Sequence, residues 1–273
     1  MRDCREEWYD KDAKVAVTIV DVTGATQELA RGHLAGPTST YFLTEALASV
    51  ALLGAEMSEK DETVILQMKC KGPLGGYNVE CTSEGTLRGY AEKKTLDDFD
   101  GMGKPDARKV VGEAQIQVTR SVPGRILSQG ISTSVDGYLA GSLQRKACIR
   151  TEVAVSDEVE VLEARGIMVE VLPDSKIGSA GAERAIGVNP LLRVLDEKRP
   201  VKLSVASRSI LKQLGLENAE LRKTTPLKFA CRCSPDRAIA MLAALSEEER
   251  KALPSSIDIT CHMCGKTFTV KTK

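Results

Sequence analysis

Apolar and polar residues alternate in short runs along the first two thirds of the chain, with one long exception. Ser39 to Met57, "STYFLTEALASVALLGAEM", is rich in Ala and Leu and meets no Pro or Gly before Gly54. That pattern predicts a buried helix. "ETVILQMKC" then alternates as a strand. Two further strand-like pieces in "GPLGGYNVECTSEGTLRGYAE" flank Ser83-Glu84-Gly85, a hairpin turn. "GEAQIQVTRS" places Ala114, Ile116 and Val118 on one face, and "SVDGYLAGSLQRKA" predicts a short helix. "CIRTEVAV", "VEVLEARG" and "IMVEVLP" predict three more strands. The expected class is α+β: a core domain over residues 1–173 of mostly antiparallel strands with helices.

After Leu172 the pattern changes. "PDSKIGSAGAERAIGVNP" is small and polar, as linkers are. Amphipathic segments follow, broken by Pro190, Pro200 and Gly215. Their apolar faces are Leu191, Leu192, Val194 and Leu195, then Ile210, Leu211, Leu214 and Leu216. Residues 174–230 are expected to form a helical linker of marginal local stability, and residues 231–273 a small separate module.

Composition narrows the function. Apolar residues make up 42% of the 273, enough for a real core, while aromatics are only 4%. Basic and acidic residues balance at 38 each, which gives no general pull on nucleic acid or anionic lipid. No apolar run approaches the ~20 residues that cross a bilayer. The N-terminal "MRDCREEWYDKDAKV" lacks a secretory apolar stretch. A cytoplasmic location is expected, a trimmed organellar form being the alternative. "KGPLGGYNVE" is Gly-rich but has no Gly-Lys-Ser/Thr ending, so it is expected to form turns rather than a phosphate loop.

Eight cysteines are divided unevenly. Cys4, Cys70, Cys81 and Cys148 are scattered and are expected to be small buried hydrophobes. Cys231, Cys233, Cys261 and Cys264 form C-x-C, 27 intervening residues, then C-x-x-C. Four thiolates at these spacings suit a tetrahedral zinc ion, with no coordination position left for catalysis. "SIDIT", "CHMCGK" and "TFTV" have the strand, knuckle and strand of a zinc ribbon. Ser234 and Pro235 start one intervening helix; Ser246 and Glu249 form the capping box of a second. His262, inside the C-x-x-C, is expected to face solvent. Lys228, Arg232 and Lys266 are candidates to offset the negative charge of four thiolates.

The 43 residues from Cys231 to Lys273 hold few large apolar side chains. Structural zinc contributes about 10–16 kcal/mol to such modules, against about 5–15 kcal/mol for the stability of whole domains. Metal loss is expected to unfold the module. Oxidation of the thiolates would cause that loss. In an extended C-x-C the α-carbons stand about 6.6–7.2 Å apart, at or beyond the ~4.4–6.8 Å of most disulfides. A bond between those two cysteines would be strained and labile, which favours a reversible switch over a static staple.

The two cysteine pairs, with "CSPDR" after the first and "CGKTF" after the second, resemble the heat shock protein 33 family of redox-regulated chaperones. "GPLGGYNVECTSEGTLRGYA" and "DGYLAGSLQ" extend the likeness upstream. The resemblance implies one zinc per reduced, inactive chain, held by Cys231, Cys233, Cys261 and Cys264. It implies oxidation to disulfides Cys231–Cys233 and Cys261–Cys264, zinc release, and unfolding of the module and linker. It further implies ATP-independent holding of unfolding client proteins, a homodimer when oxidised, and no enzymatic activity. Two alternatives stay open from the residues alone: a static zinc-ribbon binding module, and a thiol oxidoreductase using "CHMC".

Overall fold

The computed structural model describes residues 3–173, 175, 190–243 and 245–271. Apart from Pro173, Ser175 and Pro190, the small, polar stretch expected to be a linker lies outside these residues.

Two antiparallel sheets sandwich one helix. The first sheet has β1 (Cys4–Asp10), β2 (Val15–Asp21), β8 (Lys146–Val155), β9 (Val161–Val171) and β10 (Glu220–Pro226), in the order β10-β1-β2-β9-β8. The second has β3 (Thr63–Cys70), β4 (Gly76–Thr82), β5 (Thr86–Ala91), β6 (Ala114–Val122), β7 (Arg125–Ser132) and the two-residue β11 (Lys228–Phe229), in the order β11-β5-β4-β3-β6-β7. Among the described residues only the β11–β5 pairing is parallel. A third sheet pairs β12 (Ser256–Thr260) with β13 (Thr267–Lys271). The α+β class expected from the pattern is the one observed.

Helix α2 (Pro37–Leu53) touches β2, β8 and β9 of one sheet and β3, β4 and β5 of the other. Contact on both sides explains why its sequence is apolar all round, and nearly every residue is buried. Pro37 occupies its first turn, where no N–H partner is needed. Helix α1 (Thr23–His33) was not evident in the sequence. Its first N–H groups are capped from a distance, by Asp3 Oδ1 accepting from Gly24 and Ala25 at 2.9 and 3.0 Å. Its last turn carries Gly32 and His33 toward the C-terminal module.

The turn at Ser83-Glu84-Gly85 forms as expected, with Gly85 at φ +79° joining β4 to β5. The Gly-rich "KGPLGGYNVE" makes the turn between β3 and β4, with Gly75 and Gly76 at positive φ. Two corrections concern strands. "VEVLEARG" and "IMVEVLP" form a single strand, β9. Gly166, at the junction of the two pieces, is a point of close approach. A Cβ there would stand 3.0 Å from Leu52 and 3.1 Å from Val20. "ELRKTTP" pairs with β1 as β10 instead of continuing a helix.

A second apolar cluster lies outside the sandwich. Trp8, Val17, Ile19, Ile167 and Val169 of the first sheet meet Val194, Val201, Leu203, Ile210, Leu211, Leu214 and Leu216. Helices Pro190–Leu195 and Ser207–Gln213 therefore cover the sheet face, as their apolar patterning predicts. Leu195 departs from that pattern and is exposed. Arg165 clips the covering segment down, donating to the carbonyls of Leu203 and Val205 at 2.6 and 3.1 Å.

Candidate metal centre

Each cysteine pair sits where regular structure ends. Cys231 and Cys233 follow β11 and precede helix Pro235–Ala243, where Ser234 Oγ accepts from the Arg237 N–H at 3.2 Å. The expected capping box also forms, between Ser246 and Glu249 at helix Glu247–Ala252. Cys261 and Cys264 occupy the turn between β12 and β13. There the Gly265 N–H donates to the Cys261 carbonyl at 2.8 Å, and the Cys261 N–H to that of Lys266 at 2.9 Å. Gly265 has φ +72°, a conformation L side chains rarely adopt.

The fold brings all four sulfurs within 4.8 Å of one another. Cys231 and Cys261 stand 3.8 Å apart and Cys233 and Cys264 3.4 Å apart. A tetrahedron of thiolates around an ion with ~2.3 Å metal–sulfur bonds has edges of about 3.8 Å. The cluster therefore fits a metal ion, and a closed four-sulfur shell is a structural rather than a catalytic donor set. All eight cysteines are free thiols.

Electrostatics within the cluster are uneven. Burial raises the Cys231 pKa, but the Cys233 N–H and the Arg88 guanidinium outweigh it and bring the thiol down to about 7. Burial and hydrogen bonding to its neighbours hold Cys264 above the ordinary thiol value. The scattered thiols behave differently. Cys81 and Cys148 are buried, which pushes them up to about 11 and about 12. Cys4 and Cys70 are only half-buried, against expectation.

Among the described residues, the cation hydrogen-bonded to the cluster is Arg88, which is not one of the three candidates. Arg232 reaches away to Glu80 at 2.9 Å, and Lys266 lies over the Phe268 ring. Arg88 of β5 instead donates to Cys231 Sγ at 3.7 Å. Its partner Glu80 stands directly across on β4. A signal for this pair existed, since both residues lie four positions from Glu84 at the centre of the hairpin turn.

The module rests on α1 and β5. The Gly89 N–H donates to the Met263 carbonyl at 3.3 Å, and His33 Nε2 lies 2.8 Å from the Gly89 carbonyl oxygen. His33 is buried, and burial lowers its pKa. His262 is exposed, as expected, with its ring edge-on to Tyr90. A cavity of about 290 Å³ opens beside the sulfurs, lined by Cys233, Cys261, Arg237, Met241, Ile259 and Phe268. No helix among the described residues is long and apolar enough to cross a membrane.

Residues 7–271 match the family described as Hsp33 protein. A 33 kDa chaperonin of Thermus thermophilus is 29% identical over 92% of this chain and 79% of its own length. One from Staphylococcus carnosus is 26% identical over 95% of this chain and 91% of its own. The crystal structure of a 33 kDa chaperonin from Thermotoga maritima, a heat shock protein 33 homolog, superposes with a TM-score of 0.84. It covers 100% of this chain and 96% of that one at 20% identity.

Proposed function

The chain belongs to the Hsp33 family of chaperones, and from that premise we propose that it is a redox-regulated, ATP-independent holdase. In the reduced state Cys231, Cys233, Cys261 and Cys264 hold one Zn²⁺, and the protein is inactive. When bound, the ion supplies the cross-link that a module with so few buried side chains lacks. Oxidation joins Cys231 to Cys233 and Cys261 to Cys264. Each pair of thiolates gives up two electrons, which with two protons reduce one hydrogen peroxide to two waters. With the donor set consumed, the module and the adjoining linker unfold, and the exposed apolar surface binds unfolding proteins. The oxidised chain acts as a homodimer in the cytoplasm, without enzymatic turnover.

The observation that carries this reading is the four-sulfur cluster, with Cys233 and Cys261 lining a cavity of about 290 Å³ beside it. The apolar sheet face covered by residues 190–219 supplies the surface that such a switch would uncover.

Peroxide with mild heat is expected to release one zinc per chain and to suppress aggregation of a thermally denaturing client. Zinc release without client protection would reduce the protein to a static zinc-ribbon module.

A further inference from the structure

We propose that Arg88 is an outer-sphere partner of the four-cysteine centre and ties metal occupancy to docking of the module on β5. The proposal deepens the reading that these thiolates hold a metal. Arg88 Nη1 donates to Cys231 Sγ at 3.7 Å, and its Nε donates to Glu80. Glu80 also accepts from Arg232 Nη2 at 2.9 Å. The Glu80 and Arg88 side chains are only 8% and 15% exposed, so their charges are poorly screened.

Arg88 bridges the centre and the sheet: Nη1 grips the Cys231 sulfur while Nε is held by Glu80, directly across on β4. A bound metal would fix the Cys231 sulfur at one corner of the four-sulfur cluster, within reach of the guanidinium. Without it that sulfur is free to turn away, and docking weakens.

The placement is suited to this role. Cys231 is where the centre meets the sheet, since the preceding Ala230 N–H donates to the Leu87 carbonyl at 3.1 Å. The adjacent residues Arg88 and Gly89 then grip one knuckle each, Arg88 at Cys231 and Gly89 at Met263. Hydrogen bonds to metal-bound ligands commonly alter metal affinity by 10–100-fold.

The test uses full-length Arg88→Leu, Arg88→Lys and Arg232→Gln under reducing conditions. Zn²⁺ affinity is read by competition with a chromophoric chelator. The Co²⁺-substituted protein reports the thiolate-to-metal charge-transfer band, and hydrogen exchange at the Gly89 amide reports docking. Arg88→Leu is expected to weaken Zn²⁺ binding about tenfold, shift the Co²⁺ band to lower energy and speed Gly89 exchange. Arg88→Lys should restore part of each effect, and Arg232→Gln should leave the band at its wild-type energy. An unshifted band with wild-type affinity in Arg88→Leu overturns the proposal, as does an equal shift in Arg232→Gln. Should Arg88→Leu fail to fold, a wild-type band in Arg88→Lys overturns it instead. A wild-type chain with no tetrathiolate band sinks the metal reading itself, and this proposal with it.

Discussion

A methyl group on the α-carbon of Gly32 would stand 2.6 Å from the carbonyl oxygen of Cys264. That oxygen belongs to the backbone of the knuckle, so only movement of the whole turn could relieve the contact. Gly32 lies in the last turn of α1, where Ala favours helix by up to about 1 kcal/mol. Gly32→Ala should therefore keep α1 and all four cysteines while lifting the module off its seat. Hydrogen exchange at Gly89, whose N–H is bonded to Met263, is expected to quicken about tenfold, the equivalent of about 1.4 kcal/mol. Unchanged exchange would show that the knuckle does not dock here.

The C-terminal module was the most legible part of the sequence because its signals are local. A cap residue, a capping box and cysteine spacing act over a few positions, and each formed as expected. β1 and β2 were missed for opposite reasons. "CREEWYD" hides a strand under charge, with Arg5 buried and bonded to Glu7 and the Ala51 carbonyl. "VAVTIVD" is buried on both faces and has no alternation to read. The Arg88–Cys231 contact joins residues 143 positions apart, and no local pattern could supply it.

Metal removal should unfold the C-terminal module. Among its described residues only Ala238, Cys264 and Val270 are buried. So small a core cannot offset the entropy of ordering about 40 residues. A chelator in reducing buffer is expected to abolish hydrogen-exchange protection across β12 and β13 and to leave β3, β4 and β6 protected. Retained protection of the β12–β13 pair without metal would refute the idea that the ion holds the module together.

Acid should weaken the sandwich through Glu62. Its carboxylate is fully buried, accepting from Arg120 Nε at 2.6 Å and from the Ser58 and Glu59 N–H groups at 2.9 and 3.0 Å. Burial raises its pKa, but Arg120 and the two N–H groups outweigh that and hold it below 4.5. A depressed carboxylate stabilises the fold fully above its unfolded value and loses that contribution as pH falls through the folded one. Glu62→Gln is expected to cost about 3 kcal/mol near neutrality, with the gap to wild type narrowing below about pH 4. Denaturant midpoints measured against pH check this; a gap constant with pH would assign the loss to shape rather than charge.

Loss of the four-cysteine cross-link should also loosen the segment that covers the first sheet. Trp8 is the single tryptophan, buried beneath the covering segment, with the Arg208 guanidinium 4.6 Å from its ring centroid. Its emission therefore reports whether residues 190–219 stay down. The physical route from the cysteines is short. β10 leads to Leu227, which is buried and donates to the Asp3 carbonyl at 2.7 Å, and then to β11 and Cys231. β11 makes only two residue pairings with β5, too few to hold once the cysteines after it lose their cross-link. Cys264→Ser in reducing buffer should therefore shift Trp8 emission to the red and increase proteolysis between Leu172 and Phe229. Leu211→Ala, which empties the apolar cluster at a cost of about 2–5 kcal/mol, should produce the same shift with the metal still bound. If Cys264→Ser keeps wild-type emission and protease resistance while Leu211→Ala loses both, the module and the linker open independently.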